Sequence, residues 1–171
     1  MQENSFERSG YRITDQRSAF DLASAHRLLS ASYWSPGIPP ETVAKAAANA
    51  WTFCLLAPDG EFAGMARFIT DRATFAYLAD VIIDPAHRGH GLGKWLVECL
   101  HSLPEIQACR RLMLMTADAQ LLYARFGYTP LKSPERAMEV SRPDPYRADP
   151  LRQAEPLTGA EPAMDRAASG D

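Results

Sequence analysis

Apolar and polar positions fall into blocks along the chain, and the period inside each block predicts an element. Tyr11–Thr14 has the short alternation of a strand. Between residues 17 and 32, Leu22, Ala25, Leu28, Leu29 and Ser32 recur at helical spacing and predict a first helix. Pro36, Gly37, Pro39 and Pro40 then interrupt the chain. Residues 41–50 read as a second helix, whose first turn tolerates proline. Residues 52–57 and 61–70 predict two strands joined by Pro58-Asp59-Gly60, a loop with hairpin chemistry in which glycine supplies the positive φ. Residues 73–83 are almost continuously apolar, as in a strand buried on both faces, and Asp84-Pro85 ends the run. A glycine-rich turn leads into a helix over 91–103 with Leu92, Leu96, Cys99, Leu100 and Leu103 inward. A short buried strand is predicted at 111–115 and a helix at 117–126, where Ala119, Leu122, Tyr123 and Phe126 share one stripe. A last strand pair is predicted at 128–131 and 137–140. The sum is a single α/β (α+β) domain with a mixed central sheet flanked by about four helices.

Composition changes this picture only at the C-terminal end. The 171 residues, 46% of them apolar, provide one ordinary domain. Residues 141–171 hold five of the 13 prolines, and Leu151 and Leu157 are their only large aliphatics. Such a stretch buries too little to offset its ordering entropy, so the domain is expected over 1–140 and a disordered or loosely attached tail over 141–171. The formal charge is −3, and residues 1–140 carry 14 basic against 15 acidic side chains. That balance excludes bulk attraction to nucleic acid or to an anionic membrane. No apolar run reaches a membrane span and no apolar leader follows Met1, so a cytoplasmic protein is expected. Cys54, Cys99 and Cys109 are odd in number and form no CxxC pair. Cys54 and Cys99 sit in apolar segments and read as core residues, and neither a disulfide framework nor a metal site is expected.

The chemistry is concentrated in one segment, Val81-Ile82-Ile83-Asp84-Pro85-Ala86-His87-Arg88-Gly89-His90-Gly91-Leu92-Gly93-Lys94. It passes from a strand through a glycine-rich turn into a helix. Glycines at alternate positions leave backbone N–H groups unshielded, and the helix start adds free donors and the positive end of its dipole. Together they form an anion site suited to phosphate. The dinucleotide fingerprint GxGxxG fails, because Lys94 stands where its last glycine belongs. The triphosphate loop GxxxxGK[ST] fails too: Gly89 to Gly93 is one residue short, and Trp95 replaces the magnesium-binding hydroxyl.

What the turn does match is RxxGxG, as Arg88-Gly89-His90-Gly91-Leu92-Gly93. Some thirty residues later comes Ala119-Gln120-Leu121-Leu122-Tyr123-Ala124-Arg125-Phe126-Gly127-Tyr128, an A-x-x-L-Y-x-x-x-G-F/Y pattern. With both motifs in this order, the sequence resembles the GNAT superfamily of acetyl-CoA-dependent N-acetyltransferases over roughly residues 11–140. The resemblance implies that the backbone from Arg88 to Lys94 (Arg88, Gly89, His90, Gly91, Leu92, Gly93 and Lys94) holds the CoA pyrophosphate. It implies that the backbone of Val81, Ile82 and Ile83 pairs with the pantetheine arm like an added strand, and that a main-chain N–H there polarises the acetyl carbonyl. Tyr123 is implied as the acid that protonates the departing thiolate. Thr116 stands where many relatives carry asparagine, at a cofactor-side position.

Asp80 is the lone charge in the apolar run of 73–83. It either faces an acceptor cleft, holding the ammonium of an amine and helping to take its proton, or closes a salt bridge where the sheet opens. Tyr33 and Trp34, on the Pro/Gly-bounded loop, suit a substrate lid or core packing. Tyr77 shares a strand face with Phe75 and Ala79 and is a candidate for the same cleft. His87 and His90 read as solvent-facing or near the phosphates. The expected activity is direct acetyl transfer from acetyl-CoA to a primary amine, of a small molecule or a protein, in a ternary complex without metal or acyl-enzyme. The alternative is a non-catalytic acyl-CoA-sensing module of the same fold, which would have no need of Tyr123.

Overall fold

The computed structural model describes residues 3–142 and Tyr146. Six strands form one sheet in the order β1-β2-β3-β4-β5-β6. They are β1 Ser5–Arg8, β2 Tyr11–Thr14, β3 Trp51–Leu56, β4 Phe62–Thr70, β5 Phe75–Ile83 and β6 Arg111–Met113. Neighbours run antiparallel except β5 and β6, which are parallel. The parallel pair follows from the long helical crossover between them. Among the described residues five α-helices accompany the sheet: α1 Leu22–Ser30, α2 Pro40–Ala48, α3 Leu92–His101, α4 Pro104–Ala108 and α5 Gln120–Ala124. Among the described residues no helix is long and apolar enough to cross a membrane.

The sheet separates two cores. β3 points Phe53 and Leu55 into one and Cys54 and Leu56 into the other, so its six-residue run is buried on both sides. Leu92, Leu96 and Leu100 of α3 fill the first core, with Phe68 of β4 and Tyr123 of α5. Ala25, Leu28 and Leu29 of α1 and Val43 of α2 fill the second, against Phe62, Met65 and Ile82. The mixed single-domain α/β architecture expected from the periodicity is the one observed, with five helices where about four were expected.

Five local expectations are corrected. Tyr11–Thr14 is the second strand, joined to β1 by Ser9 and Gly10, both at positive φ (51° and 81°), as a tight hairpin turn requires. The first helix begins at Leu22, where the Asp21 carboxylate caps the N–H groups of Ala23 and Ser24. Residues 17–19 form a separate 3-10 turn. α5 likewise begins late, because Thr116 Oγ1 accepts from the Ala119 N–H and holds the chain in a turn. β5 is not buried on both faces: Ala76, Leu78 and Ile82 are buried, while Phe75 is 37% exposed and the intervening residues are half-buried. Residues 128–131 and 137–140 form no strand pair. That stretch holds a 3-10 turn at Pro134–Arg136, and Met138 and Val140 are 98% and 81% exposed. The proline-rich tail lies outside the described residues except for Ser141, Arg142 and Tyr146.

Candidate active site

β5 and β6 pair only at Phe75↔Arg111, Ala76↔Leu112 and Tyr77↔Met113. β6 then stops while β5 continues to Ile83, so the two strands part. On its other edge β5 stays on β4 through a bulge: Met65 pairs with Ile82 and Arg67 with Ala79, leaving Asp80 and Val81 opposite Ala66. Asp80 takes the left-handed conformation, φ 53°, which Asp tolerates better than most residues. A bulge bends its strand and re-aims a side chain. Here it turns the end of β5 beside the opening, and Val81 lines the clefts on both sides of it.

One cleft, about 880 Å³, follows the end of β5 into the glycine turn. Asp84 closes the strand: its N–H donates to Ala63 O, its Oδ1 accepts from the Ala86 N–H, and its Oδ2 pairs with Arg27 of α1 at 2.7 Å. That arginine is the first cause holding the Asp84 carboxyl below its ordinary value. Arg88 Nε donates back to Ile83 O at 3.0 Å and folds the turn onto the strand it left. Gly89 and Gly91 adopt φ of 84° and 69°, and a Cβ at either would enter open space. No side chain caps α3, whose N-cap is Gly91. Its first N–H groups therefore remain available, at the positive end of a ten-residue helix, for an anionic ligand.

A second cleft, about 630 Å³, lies where β5 and β6 part. Val81, Tyr33, Trp34 and Asp118 line both clefts and mark their junction. Tyr123 lines the second cleft at 8% exposure. Burial, then the charges of Tyr33 and Asp118, push its hydroxyl up to about 12. The loop between α1 and α2 straddles the opening. Tyr33 Oη accepts from the Ala117 N–H beyond β6, and Trp34 Nε1 donates to Asp80 Oδ1 on β5. Asp80 Oδ2 accepts from Arg67 Nε at 2.5 Å, with both side chains largely withdrawn from water at 13% and 16% exposure.

The structure thus brings together Tyr33, Trp34, Tyr77, Asp80, Thr116 and Tyr123 in one cleft, and Val81, Ile82, Ile83, Arg88, Gly89, Gly91, Leu92 and Gly93 in the other. His90 and Lys94 are exposed and line neither. Thr116 lies in the Tyr123 cleft and not beside the turn, and its hydroxyl oxygen caps Ala119. Asp80 lines a cleft and is also ion-paired. Two residues escaped the sequence reading. Arg67 is the lone charge of β4 as Asp80 is of β5, and two lone opposite charges on the arms of one hairpin were the available signal. Asp118 had none, since only the fold sets it at the junction. No cysteine lines either cleft; burial raises Cys54 and Cys99 to about 12 and about 11. Among the described residues no group of three or more His, Cys, Asp or Glu is placed to hold a metal.

Comparison with known proteins agrees with this geometry. The family model for the GNAT acetyltransferases matches residues 22–128. A Xanthomonas campestris structure described as belonging to the GNAT family is 38% identical, with a TM-score of 0.77 over 80% of this chain and 96% of that one. A candidate acetyltransferase of Gibberella zeae is 42% identical over 38% of this chain. A glucosamine 6-phosphate N-acetyltransferase of Trypanosoma brucei brucei is 28% identical over 48% of it. The chain matches only 37% and 59% of the lengths of these two curated relatives. The match of the family model from α1 to the residues beyond α5, on a fold with the phosphate-type turn and the parted strands, shows that the chain belongs to the GNAT acetyltransferase family.

Proposed function

We propose that the protein transfers the acetyl group of acetyl-CoA directly to a primary amine, both substrates being bound at once. The observation that carries this reading is the junction of the two clefts. There the cleft of the glycine turn and the strand edge that has no strand partner among the described residues adjoins the cleft of the protonated tyrosine. The family uses acetyl-CoA, and the residues present fit it. The turn from Arg88 to Lys94 offers bare N–H groups to the diphosphate, and the edge of Val81, Ile82 and Ile83 offers backbone to the amide-bearing arm. The thioester then lies at the junction, where a main-chain N–H of β5 receives the negative charge that develops on the carbonyl oxygen.

The amine enters through the second cleft. Its nitrogen attacks the carbonyl carbon, a C–N bond forms and the C–S bond breaks. The ammonium form loses one proton to solvent before attack and the nitrogen a second after it; the departing sulfur gains a proton from Tyr123, which recovers one from solvent. The protein supplies positioning and fixed dipoles, and the thioester supplies the reactivity. Asp80 lines the acceptor side with both oxygens engaged, so its part is to align Arg67 and Trp34 at the wall of the cleft.

The test is titration calorimetry with acetyl-CoA, followed by free-thiol release across amines, amino acids and peptides. Heat on titration and thiol release with at least one amine class are expected. No heat together with an unshifted melting temperature would overturn the reading. Binding with no release from any acceptor would leave the sensing module in its place.

A further inference from the structure

The cleft that receives the amine is lined by three charged side chains, Arg67, Asp80 and Asp118. Asp80 is already ion-paired: Oδ1 accepts from Trp34 and Oδ2 from Arg67, whose charge offsets its own. Arg67 keeps further donors. A guanidinium carries five N–H donors, and among the described residues Arg67 uses only Nε. Its side chain is 16% exposed, and its terminal nitrogens are not among the buried atoms left without a partner, so four donors face the water of the cleft and are open to a ligand. A planar fork of N–H groups matches a carboxylate or a phosphate in both charge and shape. Asp118 complements it: this side chain makes no hydrogen bond or ion pair among the described residues, and it lines the acceptor cleft and the cofactor cleft together.

We propose that the acceptor is a small primary amine that also carries an anionic oxygen group, carboxylate or phosphate, taken by the terminal N–H groups of Arg67 while Asp118 holds the ammonium end at the junction. The assignment rests on the acetyl-transfer reading above and names the substrate class within it. The two charges are placed in the right order, with Asp118 at the junction where the nitrogen must react and Arg67 away from the cofactor cleft. The walls between them, Tyr33, Trp34, Tyr77 and Leu78, suit a short carbon skeleton. A plain alkylamine would forgo this charge-assisted pair, which discriminates against it.

The experiment is thiol release by the full chain with matched acceptors: β-alanine and 2-aminoethyl phosphate against β-alanine amide and propylamine. The anionic members should be favoured by about 30-fold or more in kcat/KM, the scale of a charge-assisted pair. The faster of the two anionic members identifies the group. Arg67→Met alone strands the Asp80 carboxylate, so the informative variant is Arg67→Met/Asp80→Asn, which removes both charges. It should abolish the preference while leaving the Kd for acetyl-CoA within about twofold. Asp118→Asn should raise KM for every amine in the set. Equal use of anionic and uncharged acceptors overturns this assignment and leaves acetyl transfer standing. A preference that persists in the double variant overturns the role of Arg67. No release with any amine, despite acetyl-CoA binding, overturns the underlying reading itself.

Discussion

The Tyr123 hydroxyl, raised to about 12 chiefly by burial, stays protonated throughout the range in which an amine can attack. A thiol titrates near 8.5, so complete proton transfer from this phenol to a free thiolate is uphill by about 3.5 units, roughly 5 kcal/mol. In the proposed transfer its contribution is therefore a hydrogen bond to sulfur that strengthens as charge develops, with the proton following late. Tyr123→Phe should lower kcat about tenfold or more, about 1.4 kcal/mol of barrier. The Kd for acetyl-CoA, measured by calorimetry, should stay within about twofold, and unchanged turnover would remove the residue from the mechanism. The same burial sets a sign for stability. A hydroxyl raised above its unfolded value of about 10 stabilises fully below that pH, and this support is lost as pH climbs through the folded value. Tyr128, raised in the same direction by burial, adds to the effect. Melting temperature should thus fall between about pH 10 and 12, less steeply in Tyr123→Phe. Gly91 is the other decisive single residue. At φ 69° an alanine costs about 1–2 kcal/mol, and its methyl enters the open space above the turn. Gly91→Ala should raise the Kd for acetyl-CoA about tenfold or more while the protein remains folded.

At the scale of elements, β4 and β5 depend on Gly64. A Cβ there would stand 2.5 Å from Ile82 O and 3.2 Å from Ile83 Cα, so strand and not side chain must move. Gly64→Ala should destabilise by about 1–3 kcal/mol in chemical denaturation. It should also weaken acetyl-CoA binding, because the displaced backbone lines the cleft proposed for that substrate. An unchanged midpoint would mean that β5 shifts freely. The turn and α3 were legible in the sequence because their signals are local: glycines at alternate positions, then a stripe of Leu92, Leu96 and Leu100 at helical spacing. β1 was not, since Ser5–Arg8 holds one large apolar residue, Phe6, and becomes a strand only by pairing with β2. α4 was too short to show a period. Residues 137–140 form no strand among the described residues, and Met138 stands 98% exposed. The Arg67–Asp80 pair needs a cross-strand register with a bulge in it, which no period along one strand encodes.

In the whole molecule the two cores lie on opposite faces of the sheet, and the site depends on a tie from one of them to the edge of the other. α1 belongs to the second core, while the turn and α3 belong to the first. Arg27 of α1 crosses to Asp84, the residue that ends β5, and Asp84 in turn holds the Ala86 N–H and starts the turn. The carboxylate is therefore where the helical layer behind the sheet fixes the loop proposed to hold the diphosphate. Arg27 holds its carboxyl below the ordinary value, so this stabilisation is complete above the unfolded value near 3.8 and is lost as pH falls through the folded one. Arg27 is 58% exposed, so the pair contributes little to global stability and its loss should be felt mainly at the turn. Asp84→Asn should keep the fold at neutral pH, raise the Kd for acetyl-CoA several-fold at about pH 7, and flatten the fall of melting temperature below about pH 4. Calorimetry at neutral pH and melting across the acid range read the two effects separately. A variant that bound acetyl-CoA as tightly as the parent and lost stability along the same acid curve would show that α1 plays no part in holding the turn.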